Sequence, residues 1–131
     1  VSTPTVMNTL TSEKAIELLG KAAEAYGPDW VDPLSWEDGC QNVYQDNDGN
    51  TRYCIAAWVL KEFFGVHDES LSLDNRVSIR RTLDCLNLRD YLEPGALMIL
   101  EWAQTMQDDG ESWGKVAQLA ASTNKASLEE S

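Results

Sequence analysis

The sequence predicts a mostly α fold: about five helices around a central apolar helix, with one short β-hairpin. Three observations carry this reading. Apolar residues recur at i, i+3, i+4 and i+7 in separate stretches punctuated by Gly, Pro and Ser. The stretch from Cys54 to Phe64 is apolar on nearly every side. Val43-Tyr44 and Arg52-Tyr53 bracket Asp48-Gly49, a dipeptide that favours hairpin turns. A chain of 131 residues suits one domain and can bury roughly two-thirds of its unfolded surface. We divide it into a flexible leader over 1–10, a helical domain over 11–122 and a polar tail over 123–131.

The elements follow in order. Val1 fits either a GTG start codon or a trimmed terminus, and the first thirty residues show no basic-then-apolar secretory pattern. Thr11 or Ser12 caps a helix with Ala15, Leu18, Leu19, Ala22 and Tyr26 on one face, and Gly27-Pro28 stops it. Residues 28–42 read as an ordered loop, which Trp30 and Trp36 pack onto the core. The hairpin that follows, centred on Asp48-Gly49, pairs Tyr44 with Tyr53. Gly65 ends the apolar central helix. Ser70 or Ser72 caps a helix over about Asp74 to Leu86, with Val77, Ile79, Leu83 and Leu86 inward and its arginines in water. Asn87–Glu93 turns. Pro94 then starts a helix where its missing N–H costs nothing, with Ala96, Ile99, Leu100, Ala103 and Met106 inward and Gly110 as its stop. Ser112 caps the last helix, whose apolar face is Trp113, Val116, Ala117, Ala120 and Ala121.

Charge narrows the function classes. Ten Lys+Arg against 22 Asp+Glu give a net charge of −12, which excludes general nucleic-acid binding because that affinity comes from bases neutralising phosphates. No apolar run approaches the ~20 residues of a membrane span. The acids are blocky. Residues 29–50 hold Asp29, Asp32, Glu37, Asp38, Asp46 and Asp48 without a Lys or Arg, and residues 94–114 hold Glu101, Asp108, Asp109 and Glu111 likewise. Trp30, Trp36, Trp102 and Trp113 lie inside these blocks and only Trp58 lies outside. Two readings stand: a solvated acidic surface with the rings turned inward, or an acidic, aromatic-bearing face that docks on a basic partner.

The remaining motifs point to ordinary structure. Cys40, Cys54 and Cys85 are odd in number, without a CxxC pair, as in a reducing compartment. The expected hairpin register leaves Cys40 three residues from facing Cys54, so buried thiols are the better reading. Asp46-Asn47-Asp48-Gly49-Asn50 imitates half of a calcium loop. Position 6 is Thr51 and position 12 is Ala57, so the Gly and the bidentate Glu are missing and a turn is preferred. His67 is the sole histidine and lacks both a nucleophile motif and zinc-type ligand spacing. We expect no catalytic residue, no metal and no cofactor.

Trp36-Glu37-Asp38-Gly39, then Tyr53-Cys54-Ile55-Ala56-Ala57, then Ala103-Gln104 with Gln107-Asp108, Gly110 and Trp113-Gly114 form a recurring order. It resembles a small uncharacterised domain of actinobacteria and actinobacteriophages. The resemblance implies a phage or actinobacterial origin and a cytoplasmic setting, and carries no activity with it.

The leading expectation is a non-enzymatic protein that binds a host or viral protein with a basic surface, acting as an inhibitor by covering it. The expected contact residues are Asp29, Trp30, Asp32, Trp36, Glu37, Asp38, Asp108, Asp109, Glu111 and Trp113. No direct nucleic-acid or membrane contact is expected. Two alternatives stay open: a virion structural or assembly component, and a small hydrolase using carboxylates drawn from both acidic blocks.

Overall fold

A computed structural model of the chain describes residues 9–31, 43–45, 48–67 and 79–130. The leader up to residue 8, Asp32, Trp36, Glu37, Asp38, Cys40, Asp46, the Ser70 and Ser72 caps and the start of the third predicted helix at 74–78 lie outside the described residues. Within them the order is α1 (Ser12–Tyr26), β1 (Val43–Gln45), β2 (Thr51–Tyr53), α2 (Ile55–Phe64), α3 (Ile79–Cys85), a 3-10 turn (Arg89–Tyr91), α4 (Pro94–Asp108) and α5 (Trp113–Glu130). The chain is mostly helical, as its periodicity predicts.

Helix α1 begins where the Thr11 hydroxyl accepts the Lys14 N–H at 3.1 Å, and it ends at Gly27 with φ 99°. Its buried stripe is Ala15, Leu18, Leu19, Ala22 and Ala23, and it packs against α2, α4 and α5. On its wet face Lys14 and Lys21 flank Glu17 at i−3 and i+4. The hydrogen bond and charge of Lys14, then the charge of Lys21, hold that carboxyl below its usual range.

Helices α1 and α4 start side by side. Leu10 and Leu92 form a parallel bridge, Leu10 N–H donating to Tyr91 O at 2.7 Å and Glu93 N–H to Leu10 O at 3.0 Å. The Glu93 carboxylate then accepts the Ser12 N–H at 3.0 Å, capping α1 from the neighbouring segment. Each helix has 15 residues, so both are about 22 Å long. Helix α2 packs against both with Ile55, Ala56, Ala57, Val59 and Leu60 buried, and Gly65 closes it in the left-handed region. Helix α3 lies on α4, buries Ile79, Thr82 and Leu83, and sends Arg80 to Glu101 at 2.6 Å.

Several expectations need correction. The hairpin pairs Val43 with Tyr53 and Tyr44 with Arg52, one residue from the expected register. Five positions, an odd number, separate the two strands, whereas pairing about a two-residue Asp-Gly turn requires an even one. Leu10 is fully buried and belongs to the core rather than to a leader. On α4 the buried positions are Ala96, Leu97, Leu100, Ala103 and Gln107, while Ile99 and Met106 are half-buried. The last helix continues to Glu130 instead of stopping near Thr123. Its buried face is the narrower set Trp113, Val116 and Ala120, with Ala121 exposed. Cys54 is buried as expected, but the Cys85 thiol is exposed.

Candidate partner-binding site

The far ends of α1 and α4 meet the start of α5, where a cluster of side chains joins the backbone contacts of the loop after α1. Gln107, fully buried in the last turn of α4, is the centre of the joint. Its Oε1 accepts the Ile55 N–H at 2.7 Å and the Trp113 Nε1–H at 3.1 Å. Cys54, at the N-cap of α2, makes no side-chain cap bond, so Gln107 supplies from another helix what a local cap would. The Gln107 Nε2 donates to Asp108 Oδ1 at 3.3 Å, and that oxygen also accepts from Gln104 Nε2 at 3.4 Å.

Aromatic rings cover this joint. Tyr26 stacks on Trp113 with centroids 4.3 Å apart at 19°, and meets Trp30 edge-on at 5.4 Å and 81°. The Tyr26 hydroxyl accepts the Tyr53 N–H at 2.9 Å, tying the hairpin to α1. Burial pushes the Tyr26 phenol above its ordinary value, against the opposing effects of that N–H and of Arg52. The Arg52 guanidinium sits 5.2 Å from the Tyr26 centroid and 5.1 Å from that of Trp30.

The loop after α1 folds onto the N-terminus of α5. Trp113 N–H donates to Trp30 O at 2.8 Å, Gly114 N–H to Pro28 O at 2.9 Å, and Lys115 N–H to Ser112 Oγ at 3.3 Å. Those carbonyls and that hydroxyl occupy the donors a helix N-terminus would otherwise turn to an anion, so this end is not a phosphate site. Gly114 permits the approach, because a Cβ there would lie 2.5 Å from Pro28 O and 2.9 Å from its Cα.

These bonds bring together residues from both acidic blocks. Asp29 and Asp109 are exposed, and Glu111 is half-buried and paired with Lys115 at 3.4 Å. Asp108 turns partly inward to the two glutamine amides. Trp113 is 0% exposed, which removes it from the expected contact face: it anchors the core. Trp30 is half-buried, with its Nε1 lacking a hydrogen-bond acceptor among the described residues. Trp58 and Trp102 are also half-buried against the core, so among the described residues the tryptophans turn inward. Asp32, Trp36, Glu37 and Asp38 lie outside the described residues.

An open groove of about 510 Å³ runs beside this end, with Asp29, Ser112, Gly114, Lys115 and Leu119 in its walls. A second, of about 420 Å³, has Asp84, Asn87, Arg89 and Asp90, with Arg89 paired to Asp84 at 3.1 Å. The first holds one acid from the two base-free blocks, whereas a hydrolase built from both would need two facing each other. Among the described residues no three His, Cys, Asp or Glu side chains are grouped to hold a metal ion, and His67 is exposed. No described helix is long and apolar enough to cross a membrane.

The sequence names Gln107, Tyr26, Arg52 and Gly114 only as pattern positions and assigns none of them to the site. Gln107 falls on the apolar stripe of α4, four residues after Ala103, and a polar residue at a core position is the signal that would have found it. Tyr26 counted there only as an apolar position.

The fold and this end of it define a small helical domain whose helix termini are joined by one amide and three rings beneath a rim of carboxylates. No family model, curated protein or solved structure matches the chain.

Proposed function

We propose that the protein is a small acidic, non-enzymatic binder that covers a basic surface of a host or viral protein in the bacterial cytoplasm. One observation supports this reading above the others. The bonds from Trp113 and Gly114 to Trp30 and Pro28 gather Asp29, Asp109 and Glu111, drawn from the two base-free blocks, at one end of the bundle. Lys115 neutralises part of that rim, and the chain's −12 charge supplies the longer-range attraction. Trp113 stiffens the rim from within the core instead of presenting it.

The test is capture from bacterial lysate at low and high salt, with native protein and with Asp29→Asn/Asp109→Asn/Glu111→Gln. The expected result is a basic protein held at low salt, released by high salt, and bound roughly tenfold more weakly by the triple variant. Circular dichroism checks that the variant is folded. Capture of nothing at either salt, or capture indifferent to the three substitutions, sinks the reading.

A further inference from the structure

We propose that the corner between Tyr26 and Trp30 is a guanidinium-binding site for an arginine of the partner, filled in the isolated protein by Arg52. The proposal rests on the reading above for the class of partner and adds the side chain that is recognised.

The corner has two walls at 81°, and one guanidinium lies 5.2 and 5.1 Å from their centroids, within cation–π reach of both. Both walls are held in place. Tyr26 is backed by the fully buried Trp113 ring and fixed by its hydroxyl bond to Tyr53, while the Trp30 carbonyl holds the first N–H of α5. The occupant is on the less anchored element, a three-residue strand of a two-stranded pair. Tyr26, Trp30 and Arg52 are all half-buried, so none of the three is sealed within the core.

Rotation of the Arg52 side chain vacates the corner and leaves the Tyr53 N–H bond to Tyr26 intact. Asp29, exposed and next to Trp30 in the chain, stands at the rim to meet an incoming cation. The flat, weakly hydrated guanidinium stacks on such rings better than an ammonium does, so the site prefers arginine to lysine. Arg52 thereby acts as an internal competitor that keeps the site closed to weak cations.

The experiment measures Kd for hexa-arginine and hexa-lysine peptides at one fixed salt concentration, on native protein and on Arg52→Ala. The native protein should bind both through its acidic rim with similar affinity. Arg52→Ala should tighten hexa-arginine by about tenfold and hexa-lysine by no more than about twofold, and adding Trp30→Ala should cancel the difference. An equal shift for both peptides would mean only a change of net charge, and it overturns the proposal, as does no shift. If Ala loosens the hairpin, judged by circular dichroism, Arg52→Thr keeps strand propensity and the same two outcomes decide. The triple acid variant should weaken both peptides equally. Failure there with a preserved arginine preference faults the acidic rim, and the reverse faults the corner.

Discussion

Helices α1 and α4 are equally long and lie side by side, yet their two ends are closed by different means. At the starting end the seal is main-chain: Leu10 and Leu92 pair, and Glu93 caps Ser12. The buried side chains there are aliphatic. At the far end two main-chain bonds, from Trp113 and Gly114 to the loop after α1, are joined by a side-chain cluster of Gln107, Trp113, Tyr26, Trp30 and Arg52 drawn from four elements and that loop. A backbone seal spreads its energy over peptide groups that any sequence supplies. A side-chain seal concentrates it in a few residues and brings polar and charged groups to the surface around them, which is where a binding site can be made.

The largest effect expected from breaking this contrast is at Trp113. Trp113→Ala removes a fully buried ring and should cost about 3–5 kcal/mol in urea denaturation. Glu93→Ala at the other end should cost about 1 kcal/mol or less, as for an ordinary cap. Equal losses would mean that the two ends share the load.

A matched pair of glycines sharpens the comparison at smaller scale. In Gly114→Ala the new methyl meets the Pro28 backbone, so the loop must move, and about 1–3 kcal/mol should be lost. In Gly95→Ala it meets the rotatable Ser12 hydroxyl, and the gain in helix propensity offsets the repacking to within about 0.5 kcal/mol. Thermal melts of the two variants read the difference directly.

Tyr26→Phe should cost about 1 kcal/mol at neutral pH, for the lost bond to Tyr53. Alkali distinguishes it further. Burial raises the Tyr26 phenol, so the folded chain holds that proton more tightly than the unfolded one. Its contribution is complete below the ordinary tyrosine value of about 10 and is lost as pH rises from there through the folded value. The native protein's advantage over Tyr26→Phe should therefore shrink above about pH 10. An advantage that stays constant to higher pH would show that the phenol is not desolvated.

Most of the fold is legible in the sequence because helices declare themselves locally. Thr11, Gly27, Gly65 and Pro94 stand where caps and stops are expected, and the stripe of α1 is nearly as read. The hairpin register is not local in that sense: one residue more or less in the loop after Gln45 decides it. The site is less legible. Acidic blocks are visible, but whether a Trp within them faces water or core depends on partners supplied by other helices. Trp113 goes inward because Tyr26 and Gln107 receive it there, and neither lies beside it in sequence.

A single oxygen, Gln107 Oε1, serves two donors 58 positions apart in the chain, at Ile55 and Trp113. The Ile55 bond needs α2 and α4 in place and the Trp113 bond needs α4 and α5, so the oxygen carries both only once all three helices have assembled. Contacts of that kind govern how slowly a native chain opens more than how quickly it closes. The joint beneath the acidic rim is thus placed to lengthen the lifetime of the folded protein.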